Sequence, residues 1–396
     1  MNAKEKYQEI YHREAEAVSF CPYRVCPVGA HIDHQRGKVT GFALDRGIHI
    51  AYTPQSDDLI ELRSLNFDTP HQFRIAEIPK QKQNDWADHL RGAAFVLNKH
   101  HPLKRGLTGV IEGTLPTGGI SSSAAVILAF LQALCRVNEL SLPPGKMIEL
   151  AQMAENQYVG VNCGTLDQSC EVLCKKENLL YLDTKDGSYQ LLPKPSTMSP
   201  FKIAIFFSGL DRALAGTRYN MRVDECRSAG YALLAYAGLP YGNLVETNLR
   251  DIPQEVFEAY KDRLPLPWRR RAEHCYGEMN RVEQAIAAWE KGNIEEFGRI
   301  CFESGRSTID YWETGCPQMK TIYDIMVKTE GVLGGRFSGA GFKGCCMAII
   351  RPDTAETITE KLTHDYLAVY PELTGKFSVH ICDTADGLAY QQENNK

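Results

Sequence analysis

The sequence predicts an α+β protein in which mixed sheets pack against helices. Three observations carry that expectation. Short apolar strands alternate with longer helices, no internal repeat or low-complexity block interrupts them, and one Pro/Ser/Gly-rich stretch divides the chain near its middle. At 396 residues, 43% hydrophobic and 23% charged, the chain is long enough to bury two cores.

Residues 1–18 are charged and helix-prone and lack the apolar run of a signal peptide. Strands are expected at 47–52, 59–63 and 106–112, each rimmed by turn residues. Helical patterns follow at 122–138 and 144–158, then a polar turn, "GVNCGTLDQ", and a strand at 179–182. The segment 185–202, "KDGSYQLLPKPSTMSPFK", reads as a linker, which places an N-terminal domain at residues 1–195 and a C-terminal domain at 196–396. The second half opens with a strand at 202–207 and continues through amphipathic helices at 269–291 and 294–304. It ends with strands at 345–350 and 377–382 around a helix near 355–363.

A net charge of -5 gives no electrostatic reason to expect nucleic acid or an anionic membrane, so the expected partner is a small molecule. The longest apolar run, residues 124–134, is too short to span a bilayer. Thirteen scattered cysteines without C-x-x-C spacing point to reduced thiols in a cytoplasmic protein rather than to zinc or disulfides. The sequence sets no oligomeric state; a monomer or a weak dimer is expected.

Four stretches concentrate chemistry. "CPYRVCPVGAHIDHQRGK", residues 21–38, places Arg24, His31 and Asp33 among turn formers, as a polar pocket wall would, yet leaves a bare methyl at Ala30. "LPTGGISSSAAVILAFLQAL" begins at Leu115. There Gly118 and Gly119 admit close backbone approach, Ser121, Ser122 and Ser123 supply hydroxyls and a cap, and the apolar helix behind aims its positive end at the loop. That describes a phosphate cradle, although a capped helix start without a ligand is the plainer alternative. No Gly-Lys-Ser/Thr follows the glycines, so it is not a Walker A loop. "GGRFSGAGFKGCC", residues 334–346, has five glycines in thirteen residues; close packing against a site and a bulged hairpin turn both account for them. "GTLDQS" puts Asp167 in a turn after the helix carrying Glu155, within reach of the same cleft.

In this order, and together with "QMAENQYVGVNCGTLDQ", "RRRAEHCYGEMNRV" and "FGRICFESGRSTIDYWETGCPQM", these motifs resemble the GHMP small-molecule kinases, within them the galactokinase branch, over nearly the whole chain. The resemblance implies a two-lobed fold with the active site between the lobes. It also implies ATP and Mg²⁺, and transfer of the γ-phosphoryl group to the anomeric hydroxyl of a sugar. By position the family's catalytic aspartate falls on Asp167 and its catalytic arginine on Arg24, which would hold Asp167 ionised and offset charge on the moving phosphoryl group. ATP-contacting positions fall on Pro116, Gly118, Gly119, Ser121, Ser122, Ser123 and Ala124, and metal positions on Ser123 and Glu155. Sugar-contacting positions fall on Ala30, His31, Asp33, Gly164, Asp167 and Tyr219.

One of these departs from the branch. Galactokinases carry a glutamate where this chain has Ala30, and that carboxylate contacts the hydroxymethyl end of galactose. Against a uronic acid it would face a second carboxylate about 4 Å away, repelling it by roughly 4 kcal/mol at an effective dielectric near 20, about a thousandfold in binding. Its absence points to a sugar acid. "GAHIDHQRG" is also similar to the galacturonokinase subgroup, with His34 where galactokinases have an aromatic residue. The expected reaction is D-galacturonate to galacturonate 1-phosphate, ahead of a galactokinase and then a glucuronokinase. A non-catalytic sugar sensor ranks last because Arg24, Ser123, Glu155 and Asp167 are all present. Arg218 and Arg222, flanking Tyr219, are the candidate partners of the carboxylate, with His34 and backbone amides as rivals.

Overall fold

Two sheets organise the chain, seen here in a computed structural model that describes residues 2–210 and 216–391. The first has eight strands: β1 (Ala17–Val25), β2 (Lys38–Pro54), β3 (Leu59–Ser64), β4 (His71–Arg74), β5 (Leu107–Gly113), β6 (Asn178–Asp183), β7 (Tyr189–Pro193) and, from the far end of the chain, β12 (Thr384–Ala385). Their order is β4-β3-β5-β2-β6-β7, with β1 and β12 also paired to β2. The second sheet is antiparallel, in the order β11-β8-β10-β9, from β8 (Lys202–Phe207), β9 (Val332–Phe337), β10 (Cys345–Ile350) and β11 (Ser378–Cys382).

Among the described residues, eleven α-helices of seven residues or more complete the framework: α1 (Ala3–Tyr11), α2 (Asp88–His100), α3 (Ser122–Val137), α4 (Pro144–Met153), α5 (Leu166–Leu173), α6 (Gly216–Tyr236), α7 (Gln254–Tyr260), α8 (Leu266–Glu290), α9 (Ile294–Asp310), α10 (Pro317–Lys328) and α11 (Ala355–Val369), with a four-residue turn, α12 (Leu388–Gln391), after them. Apolar nearly all round, α3 buries Ile127, Leu128, Phe130, Leu131 and Leu134 completely, the pattern of a helix enclosed by its own domain. Strand β8 explains the second sheet. Ile203, Ile205 and Phe207 face the main core with α8 and α9, whereas Ala204 and Phe206 face Ile322, Met326 and Leu362 of α10 and α11. Both faces are covered, which is why "KIAIFF" and "CCMAII" read as unbroken apolar runs.

Strand β2 is seventeen residues long and serves four ladders, pairing through residues 38–41 with β6, through 48–54 with β5, and also with β1 and β12. Beside it, β1 slips register between Pro22 and Arg24. Pro22 has no N–H to donate, and a Cβ on the facing Gly47 would lie 2.1 Å from the Cys21 carbonyl oxygen. The irregularity re-aims the chain at Arg24, as bulges beside sites do.

The structure departs from the sequence reading in several places: the strand expected at 47–52 is the end of the longer β2, and Ser121, at the N-cap of α3, makes no side-chain cap bond. The expected linker at 185–202 contains β7, hydrogen-bonded to β6. As a half-exposed edge strand it lacks the apolar alternation that would reveal it. The second helix stops at Met153, and residues 154–159 form a π-helical turn closed by Gly160 at φ +85°. Asp167 lies in the first turn of α5 rather than in an open turn. Among the described residues no helix is long and apolar enough to cross a membrane, and the thirteen cysteines are unpaired.

Candidate active site

A cavity of about 460 Å³ opens where the end of β1, the 115–121 loop, the start of α3, the π-helical turn, α5, α6 and the β9–β10 hairpin meet. Of the residues singled out from the sequence, Arg24, Ala30, His31, Asp33, Gly119, Ser121, Ser122, Ser123, Glu155, Asp167 and Tyr219 line it. Pro116 is exposed, and neither it nor Gly118, Ala124 or Gly164 borders the cavity. Gly164 acts one layer out: a Cβ there would lie 2.5 Å from Asp33 Oδ2, so glycine makes room for that carboxylate.

Arg24 ties the site together. Its Nε and Nη2 donate to Asp167 Oδ1 at 2.9 and 2.7 Å, and Nη1 reaches the Gly119 carbonyl at 3.4 Å. Burial disfavours the guanidinium charge, yet the contact with Asp167 outweighs it and leaves the pKa above its usual value. Arg24 therefore stays charged beside Asp167, whose side chain is 27% exposed. Asp33 is in the opposite position. Burial first, then the charge of Asp167, push it up to about 6 although the backbone N–H groups of His34 and Leu166 donate to it.

The two glycine-rich loops pack backbone to backbone. A Cβ on Gly339 would meet Gly119 Cα at 2.8 Å, and one on Gly344 would meet the Gly118 carbonyl carbon at 2.9 Å. The third glycine stretch is thus both the β9–β10 hairpin turn and a wall of the cavity, so its two readings coexist. Ser121 adopts φ +60°, and its buried hydroxyl finds no partner among the described residues. Behind it the free N–H groups that open α3 face the cavity, as an anion site requires. Opposite lies Glu155, 5% exposed, whose Oε2 accepts from the Gln168 amide. With Ser123 it supplies hard oxygens of the kind Mg²⁺ takes alongside phosphates and water. Among the described residues no group of three His, Cys, Asp or Glu forms a ready-made metal cage.

Two arginines were expected near a substrate carboxylate. Arg222 is not there: its Nη1 donates to both oxygens of Glu225, at 2.9 and 2.8 Å, and it does not border the cavity. The Arg218 side chain lies outside the described residues. Sequence reasoning missed Lys82 and His89 on the rim, Asn220 and Phe337 on the walls, and the Trp312 ring stacked on His31. Trp312 lies in a segment that carried the family resemblance, but nothing in a single sequence joins it to His31.

Known proteins match this arrangement. The family signature for the GHMP kinases N terminal domain covers residues 88–175, that for the GHMP kinases C terminal covers 284–368, and the galactokinase galactose-binding signature covers 5–54. The chain is 37% identical to a galacturonokinase of Arabidopsis thaliana over 93% of its own length and 92% of that protein's. It belongs to the GHMP kinases, in the galactokinase branch. This GHMP kinase is also 30% identical to a galactokinase of Roseiflexus, over 99% and 97% of the two chains. Its structure superposes on Lactococcus lactis galactokinase complexed with galactose at a TM-score of 0.86, with 26% identity and 97% of each chain covered. Methanococcus jannaschii mevalonate kinase shares the fold at a TM-score of 0.65 and 14% identity. The chain is accordingly a phosphotransferase with a sugar hydroxyl as acceptor, in a family of ATP-dependent kinases.

Proposed function

We propose that this GHMP kinase is a sugar-acid 1-kinase that converts D-galacturonate and ATP to galacturonate 1-phosphate and ADP. One observation carries the reading: Ala30, 7% exposed, lines the same cavity as Asp33, Glu155 and Asp167, so no carboxylate at position 30 opposes an anionic C6 group. The similarity to a galacturonokinase supports it.

The chain's own groups define the chemistry. Asp167, held by two bonds from Arg24, takes or orients the proton of the C1 hydroxyl. The O1–Pγ bond forms as the bond from Pγ to the leaving β-phosphate oxygen breaks, and ADP departs. Arg24 and the N–H groups at the start of α3 offset the charge of the phosphoryl oxygens. At neutral pH Asp33, with a pKa near 6, is largely ionised and accepts from sugar hydroxyls. Mg²⁺, held by Ser123 and Glu155, would offset phosphate charge when bound. The unpaired thiols suit a reducing compartment, and we place the enzyme in the cytoplasm.

A second reading, galactokinase, is favoured by the galactose-binding signature over residues 5–54. Coupled ADP-release assays with galacturonate, galactose and glucuronate separate the two. The proposal predicts the highest kcat/KM for galacturonate; a higher value for galactose would establish the second reading instead.

A further inference from the structure

The turn that follows β1 and carries Ala30 runs through backbone that side chains rarely adopt. Gly29 sits at φ +100° and His31 at φ +64°, and a Cβ on Gly29 would lie 2.7 Å from Val39 Cα. Ala30 and His31 both line the cavity. A turn of this kind keeps one shape only where its surroundings over-determine it.

The other half of the chain supplies two anchors, one turn apart on α8. Glu278 Oε1 accepts from the Gly29 N–H at 2.7 Å, and His274 Nε2 donates to the Ala30 carbonyl at 3.1 Å. A carbonyl only accepts, so the His274 proton sits on Nε2, and Nδ1 accepts from the Ser307 hydroxyl of α9 at 2.9 Å. Burial keeps this ring neutral, with its pKa down at about 4. Both anchors are fully buried and neither borders the cavity.

Glu278 is itself held fast. Arg281 Nε donates to its Oε2 at 2.7 Å, and the Ser304 hydroxyl and, at 3.4 Å, Arg336 Nη1 donate to its Oε1. Burial opposes the charge, yet Arg281 and Arg336 outweigh it and keep the carboxyl well below the usual carboxylate range. Ion pairs buried this deeply add little stability over apolar packing; what they can fix is one arrangement of the chain. The His274 bond therefore reaches a backbone already pinned on its N-terminal side.

We propose that His274 is a positioning residue for the sugar: with Glu278 it holds the peptide groups on either side of Gly29 and Ala30, and so keeps the Ala30 methyl and the His31 ring facing the substrate. The assignment rests on the reading above that this turn faces the sugar, and it holds whether that sugar is galacturonate or galactose.

Initial rates with ATP and whichever of galacturonate and galactose the wild type uses better test it, because KM does not depend on the folded fraction of a preparation and a merely structural role would leave it unmoved. His274→Leu deletes the donor to Ala30, and His274→Gln retains one. A lost hydrogen bond that leaves a buried carbonyl unpaired is worth about fivefold to tenfold. The KM for the sugar should rise by that factor in His274→Leu while the KM for ATP stays within twofold, and His274→Gln should recover most of the loss. Ser307→Ala, which removes only the hydroxyl that orients the ring, should raise the sugar KM about threefold and makes the same test should His274→Leu not fold. His31→Ala tests the underlying reading and should raise the sugar KM more than either. A raised sugar KM in His31→Ala, with wild-type sugar KM in His274→Leu or, where that variant does not fold, in Ser307→Ala, would overturn the positioning role alone. A wild-type sugar KM in His31→Ala would overturn the reading of the turn and the positioning role with it.

Discussion

Ala30→Glu restores the carboxylate that galactokinases carry, and the structure fixes where it would go. The Ala30 carbonyl is held by His274 Nε2 at 3.1 Å, and the preceding Gly29 N–H donates to the buried Glu278 at 2.7 Å. The backbone cannot easily turn the new side chain away, so it enters the cavity beside Asp33, which burial and Asp167 already push up to about 6. A glutamate about 4 Å from a C6 carboxylate, at an effective dielectric near 20, costs roughly 4 kcal/mol, about a thousandfold. Water entering the cavity and rotation of the side chain weaken the repulsion, so we expect kcat/KM for galacturonate to fall at least about a hundredfold. Galactose carries no charge at C6 and should lose less than about tenfold in the same preparation. Coupled ADP release with both sugars at pH 7.5 measures this. Losses for the two sugars within threefold of each other would refute the charge argument, whatever their absolute size.

Other outcomes follow from the same geometry. Arg24→Lys places one ammonium where two guanidinium bonds hold Asp167, so kcat should drop about a hundredfold or more with a smaller change in the KM for ATP; a kcat within threefold of wild type would remove Arg24 from the chemistry. Asp33 titrates near 6 in the fold against its usual 3.8, so between those values the native state binds more protons than the unfolded chain and stability falls as pH rises through that window. The full difference is about 3 kcal/mol as an order of magnitude. Asp33→Asn should therefore melt higher than wild type at pH 8 and alike at pH 4, while losing sugar affinity; an equal difference at both pH values would contradict it. Gly339→Ala puts a Cβ 2.8 Å from Gly119 Cα at φ +65°, and should lower thermal stability and raise the KM for ATP by several-fold; an unchanged KM for ATP would separate that hairpin from the nucleotide.

Much of the framework is legible in the sequence because burial on both faces leaves unbroken apolar runs. Strands 202–207 and 345–350 begin and end where their composition says. Helix α3 is bounded by serines and Asn138 and is apolar between them. Edges and switches are harder. Half-exposed β7 hides in a proline-rich stretch, and the short α5 that carries Asp167 is too polar at its start to be told from a turn. The catalytic candidates were readable because they lie within short motifs, which is where the family resemblance found them. The rings around His31 were not, since His31, Tyr219, His274 and Trp312 meet only after α6, α8 and the chain beyond α9 have packed on the first sheet. Nor did the sequence distinguish Arg222 in the cavity from Arg222 engaged by Glu225 one turn along α6, an i,i+3 pair that many helices display.

The central claim is that an uncharged residue at position 30 admits an anionic C6 while Asp167 faces C1. A crystal structure with galacturonate and a non-hydrolysable ATP analogue tests it most directly. The account predicts the C6 carboxylate beside Ala30 and the C1 hydroxyl within about 3 Å of Asp167. A sugar bound with C6 toward the opposite wall, away from Ala30, would contradict it.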